Sequence, residues 1–313
     1  MNTPRSKIAA ALCGLASAFA VPAASGALLV TTYSDADILA SSLFSGSSGL
    51  TILPGATLIG NTVAAPKDQQ QQGTFSGGTT VGGADGIGIG SGVILTTGTA
   101  KAAVGPNNSA SETGQAGGPG DADLSALLGG ALTTDANVLT LRVRPDAAGT
   151  LRFTYVFASE EYNELETGYD DVFGLWVDGL NKAMVAISTV NCGSASRGTP
   201  PPGPGVNCGL FVNNDFDVAT APFDIQYDGF TRVLTALVDV SAGVEYDIKL
   251  AIADVGPRGQ GGTDAYDSAV FIAGEFQVDH GNGAPEPASM ALAGIALLAV
   301  GAARRRARAA VAR

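Results

Sequence analysis

Hydrophobic and polar positions fall into three regimes along the chain. Uncharged apolar runs lie near both ends, at Ile8–Val21 and Ala288–Ala303, and short alternating segments fill the middle. The alternation predicts strands at Leu50–Ala64, Gly92–Thr96, Val138–Val143, Leu151–Phe157, Val172–Val177, Met184–Val190, Thr231–Val240, Tyr246–Ala253 and Ser268–Val278. A period of two is the signature of a sheet with one face buried. Pro145-Asp146, Asp178-Gly179, Asp228-Gly229 and Ala242-Gly243 supply turns between these runs. Helical spacing is rare. Ile38, Leu39 and Leu43 predict one helix within Thr31–Phe44, capped by Ser34 or Asp35, and Asp121–Leu128 reads as a short helical turn. Lys67–Gln72, with four consecutive glutamines, reads as a solvated loop, and Asn107–Gly120 as a polar one. The fold class that follows is all-β: an antiparallel β-sandwich, jelly-roll-like, with long loops and one or two short helices.

The two apolar runs differ from this pattern and from each other. Arg5 and Lys7 precede the first, and small residues crowd Ala23–Ala27 after it. That layout predicts a signal peptide over 1–26, removed by signal peptidase; about 14 apolar residues fall short of the roughly 20 that span a bilayer. The second run has the reverse order. A linker at 281–284 leads to Pro285-Glu286-Pro287, then to the apolar helix 288–303, then to a basic end at 304–313 that holds Arg304, Arg305, Arg306 and Arg308. The basic end predicts a cytoplasmic stop after transient insertion into the inner membrane. Motif, apolar helix and arginine cluster in this order resemble a PEP-CTERM sorting signal. The resemblance implies a Gram-negative bacterium, recognition at Pro285-Glu286-Pro287 by an exosortase, and loss of the helix. An ordinary C-terminal anchor is the other reading.

Trimming both ends changes the electrostatics. The whole chain carries a formal charge of −12, but residues 27–280 hold ten basic against 28 acidic residues, or −18. Nucleic acid, whose phosphates need basic surface, is excluded as a partner. Divalent cations become plausible ones. Cys192 and Cys208 survive trimming in near-identical Asn-Cys-Gly contexts around a proline- and glycine-rich loop. Export to an oxidising compartment predicts a disulfide. Metal ligation is the alternative, for which one histidine, His280, leaves few soft ligands. Gly86-Ile87-Gly88-Ile89-Gly90 lacks the following helix that a dinucleotide fold requires.

The densest chemistry lies in two acidic groups far apart in sequence. Glu160, Glu161, Asn163, Asp170 and Asp171 form one; Asp254, Asp264 and Asp267 form the other. In a sandwich, strands distant in sequence pair and their loops gather at one end. Calcium takes six to eight oxygen ligands of this kind, so these eight residues are the expected metal set and calcium the expected cofactor. A solvated acidic loop with turn and capping roles is the competing reading. A third is a carboxylate-pair glycoside hydrolase, with Glu160 or Glu161 acting against Asp254 or Asp267.

Ser159–Asn163, Asp170–Gly174, Ile252–Asp254 and Tyr266–Phe271, with Gly92–Gly98 and Gly120–Leu124 upstream, resemble the choice-of-anchor L domain. The similarity spans about 31–280 and breaks at Asn181-Lys182-Ala183-Met184 and at the cysteine loop. It implies an extracellular module over 27–280 joined to an interchangeable anchor. The expected protein is therefore non-enzymatic, placed at the cell surface or in the extracellular matrix and stabilised by calcium. Its expected partners are exopolysaccharide or surface proteins, in adhesion or biofilm association.

Overall fold

The computed structural model describes residues 27–279 apart from 82–83, 113, 115, 166–167, 196–198, 200–202, 217–220 and 257–265. The predicted signal peptide, the sorting tail, Asp264 and His280 lie outside the described residues.

The elements run in chain order as follows. Strand β1 (Leu29–Thr32) leads into helix α1 (Ala36–Leu43), then β2 (Leu50–Ile59) and β3 (Gln72–Ser76). The two-residue strands β4 (Thr80–Val81) and β5 (Ala84–Asp85) precede β6 (Ser91–Thr96) and helix α2 (Ala122–Leu127). Four long strands follow: β7 (Thr134–Pro145), β8 (Gly149–Ser159), β9 (Val172–Val177) and β10 (Leu180–Ala186). The chain closes with β11 (Phe211–Asn213), β12 (Gly229–Thr231), β13 (Leu234–Val240), β14 (Tyr246–Asp254) and β15 (Ser268–Val278).

These strands form two antiparallel sheets, so the fold is an all-β sandwich. The larger has the order β1-β3-β6-β15-β8-β12-β11, with β13 also paired to β8; the smaller runs β10-β9-β14-β7-β2. Between them lies the main core, in which Leu151, Phe153, Tyr155 and Phe157 of β8 face a layer containing Phe173, Leu175, Ile248, Leu250 and Ile252. Each such side chain contributes about 1.5–3 kcal/mol by leaving water. Helix α1 joins this core through Ala36, Leu39, Ala40 and Leu43, spaced as one helical face. Asp35 caps it, accepting from the backbone N–H groups of Asp37 and Ile38.

Burial along β8 changes character halfway. Its first half alternates buried and open positions, whereas Tyr155 through Ser159 are buried without a break. The outer face there is covered by a second cluster that includes Ala100, Ala103, Ile225, Tyr227 and Phe230. Strand β9 is likewise buried at every position, because α2 and its loop, through Leu124 and Leu127, cover its outer face. One end of the sandwich is thus wrapped on the outside of both sheets.

The helix expected within Thr31–Phe44 forms at Ala36–Leu43 behind the Asp35 cap, and Leu29–Thr32 before it pairs with β3 as an edge strand. Three local expectations are corrected. Thr231–Val240 is two strands rather than one, both paired to β8 at different heights. The strand expected at Met184–Val190 lies earlier, at β10, and ends in a turn that Thr189 holds through the Ala186 carbonyl and N–H. Lys182, where the family resemblance breaks, falls at the register shift of the β9–β10 pair.

The glutamine run is the largest correction. Gln70, Gln71 and Gln72 are buried rather than solvated. The Gln71 amide donates to the carbonyls of Thr97 (2.8 Å) and Asp135 (2.9 Å), and the Asn137 amide donates to the Gln71 carbonyl (2.9 Å). These bonds tie the end of β6 to the start of β7, one strand from each sheet. Burial of so many amide groups is tolerated because the backbone carbonyls beside them need donors.

Cys192 and Cys208 form a disulfide. Closing a loop of about 16 residues is worth about 3 kcal/mol in the chain-entropy model.

Candidate functional site

Antiparallel pairing brings six strand ends to the wrapped pole. Strand β8 ends at Ser159 opposite Ser268, where β15 begins, and Ala269 stands opposite Thr96, the end of β6. In the other sheet, Ala253 near the end of β14 faces Val172 at the start of β9, and Asp254 faces Thr134 at the start of β7. Acidic residues flanking these ends are therefore neighbours in space although about 100 positions separate them in sequence.

Glu160, Glu161, Asp171, Asp254 and Asp267 are all buried at this pole, and Asp228 joins them. The backbone N–H of Glu160 donates to the Asp267 carbonyl at 3.0 Å, fixing the loop after β8 to the residue before β15. The Ser159 and Ser268 hydroxyls both donate to one Glu161 carboxylate oxygen. The Val255 N–H donates to Asp171 Oδ1 at 2.8 Å, and the Asn107 amide to Asp228 Oδ1 at 2.7 Å. Tyr162 pins the intervening loop, its ring packing on Phe157 and Phe211.

Electrostatics follow from this burial. Glu160 is held well above the usual carboxylate range, first by loss of water, then by Asp228, with Asp267 and Glu112 adding, while a contact from the Glu112 backbone opposes them. Asp254 is pushed up in the same way, by burial, then Asp171, then Glu161 and Asp267, against a stabilising contact from the Thr97 hydroxyl. Tyr227, buried among Asp267, Glu160, Glu161 and Asp254, is raised well above its ordinary value for the same two reasons. Neither oxygen of the Glu160 carboxylate has a hydrogen-bond partner, nor does Oδ1 of Asp254.

Among the expected metal residues, five (Glu160, Glu161, Asp171, Asp254 and Asp267) come together. Asn163 lies beside them in a left-handed conformation (φ 78°), its amide donating to Asn213 Oδ1 at 2.8 Å while its own Oδ1 lacks a donor. Asp170 does not join: its carboxylate accepts from the Ser188 N–H and hydroxyl, both at 2.7 Å, a turn role. Asp264 lies outside the described residues. Asp228 was expected only as a turn residue and is instead fully buried. The sole sequence clue to it was the Asp-Gly pair, which marks a turn without telling whether the turn faces water.

An all-oxygen donor set with orphaned carboxylate oxygens has the chemistry of a hard-cation site. A ready-made cage is lacking, however: among the described residues no three His, Cys, Asp or Glu side chains are grouped closely enough to hold a metal ion. The one carboxylate of the expected set that lines a described cleft is Glu160. That cleft holds about 120 Å³ and is bounded by Ala110, Glu160, Glu164, Leu165 and Tyr266.

Sequence families account for both the sandwich and the tail. The choice-of-anchor L domain family matches residues 30–277, and the PEP-CTERM protein-sorting motif matches residues 284–306. The chain belongs to the choice-of-anchor L domain family. Its PEP-CTERM motif marks it for exosortase-dependent export in a Gram-negative bacterium, to the cell surface or extracellular space. Comparisons with curated proteins and with solved structures gave no match. Among the described residues no helix is long and apolar enough to cross a membrane; the apolar segment 288–303 lies outside them.

Proposed function

We propose that this protein is a non-enzymatic surface or matrix module, acting in adhesion or exopolysaccharide association, whose acidic pole is stabilised by calcium. The observation that carries the reading is Glu160, a buried carboxylate with neither oxygen hydrogen-bonded, set beside Asp228 and Asp267. Leaving such a group ionised and unpaired is costly, so a proton or a cation must accompany it. The anchoring and sorting families that match the chain fit a non-enzymatic role.

Strand direction adds an orientation. Strand β15 starts at the acidic pole with Ser268 and runs eleven residues to Val278. At about 3.4 Å per residue it carries the chain some 34 Å to the opposite pole, where the described residues end at Asp279. A protein held by its tail would present the acidic pole outward.

Melting in millimolar calcium against chelator tests the calcium reading. An upward shift of several degrees in calcium is expected, and identical melting curves would refute it. Cleavage of the tail has its own measurement. Intact mass of the surface or released fraction is expected to show a C-terminus near Pro285-Glu286-Pro287 in place of Arg313, whereas a full-length mass would show a retained anchor.

A further inference from the structure

We propose that calcium enters and binds in the Glu160 cleft, with Glu160 and Glu164 as its two protein carboxylates. This inference rests on the calcium reading above and deepens it, by choosing one position within the acidic pole.

Three observations single out this position. First, Glu160 is 2 % exposed, yet both of its carboxylate oxygens lack hydrogen-bond partners. Second, it lines a cleft of about 120 Å³ whose other walls include Glu164 and Tyr266, so an ion from solvent can reach it. Third, Asp228 and Asp267 are buried, do not line the cleft and act on Glu160 electrostatically, adding negative potential. Asp254 and Asp171, by contrast, line no described cleft, and one Asp171 oxygen accepts the Val255 N–H.

Two carboxylates at one small cleft, with no group of three metal-binding side chains among the described residues, describe a site finished by water. Such a site belongs in the weak range of extracellular calcium modules, with Kd of about 10⁻⁴–10⁻³ M. Calcium tolerates the irregular ligand geometry that this cleft imposes.

Terbium, which replaces calcium and emits when a nearby tyrosine is excited, reads the site directly. Tyr266 lines the cleft and Tyr227 lies within the field of Glu160, so both serve as antennae. The protein over 27–280, metal-free, is expected to give sensitised emission that calcium displaces. Glu160→Gln should weaken terbium binding at least tenfold, while Asp254→Asn leaves it within about twofold. Glu160→Asp, which keeps the charge and shortens the side chain, should also weaken binding, and it preserves the test if Glu160→Gln folds poorly. Emission unchanged in both Glu160 variants, with wild-type melting still raised by calcium, would place the ion elsewhere and overturn this inference alone. No emission together with no melting shift in the wild type would overturn both readings.

Discussion

Calcium-free protein is expected to lose stability as pH rises above the ordinary carboxylate range, opposite to the usual behaviour of carboxylates in salt bridges. The cause is burial of Glu160 and Asp254 beside other acids, which raises both above their ordinary values. The sign follows from proton counting. Once unfolded, each group titrates near its ordinary value of about 4, whereas in the fold it keeps its proton to higher pH. Between those two values the native state binds more protons, so unfolding releases them and stability falls with rising pH. Stability from this source is complete below the unfolded value and is lost as pH climbs through the folded one. Each group still holding its proton across a pH unit makes a difference of about 1.4 kcal/mol. For a domain of this size that is about 3–6 °C in Tm per unit. Asp170, also raised by burial, acts with the same sign. Calorimetry in chelator at several pH values above that range checks this, and a Tm that climbs with pH there would contradict it. Calcium at the highest pH of that series should restore what the acids lose, because a cation replaces the protons.

Gly98→Ala is the single substitution expected to damage fold and acidic pole together. Gly98 follows β6, and a Cβ there would fall on the Asp267 carboxyl group, meeting its carbon and both oxygens. Asp267 is buried, and its carbonyl accepts the Glu160 N–H, so it cannot swing into water without disturbing the loop after β8. Forcing extra atoms into such packing costs about 1–3 kcal/mol. Tm should fall by about 2–4 °C for each of these, and the calcium response should shrink with it. Gly168→Ala, where the added carbon meets nothing within 4 Å, is the control. If Gly98→Ala melted within about a degree of the control, with its calcium shift intact, Asp267 would not be held as described.

The strand pattern was legible because period-two alternation reports directly on a half-buried sheet. Val172–Val177, Tyr246–Ala253 and Ser268–Val278 were predicted within a residue of β9, β14 and β15. It failed where burial came from both sides or from amides. Gln70–Gln72 look like a solvated run, yet sit beneath the junction of β6 and β7 because bare carbonyls there need donors. Asp228 and Asp170 show the same limit from opposite directions. One is a turn signal that is buried in the acid cluster, the other a cluster candidate that serves a turn.

By itself, the sequence determined the address and the class: the motif-helix-arginine tail, the acidic balance of 27–280 and the all-β pattern are local properties of composition and spacing. The tertiary structure alone decided which carboxylates meet. Antiparallel pairing sets Ser159 against Ser268 and Val172 against Ala253, and it leaves Glu160 without a hydrogen-bond partner beside the cleft. Whether a charge lies in water or against other charges depends on strand register and on what covers the sheet, and neither quantity is written in any short stretch of chain.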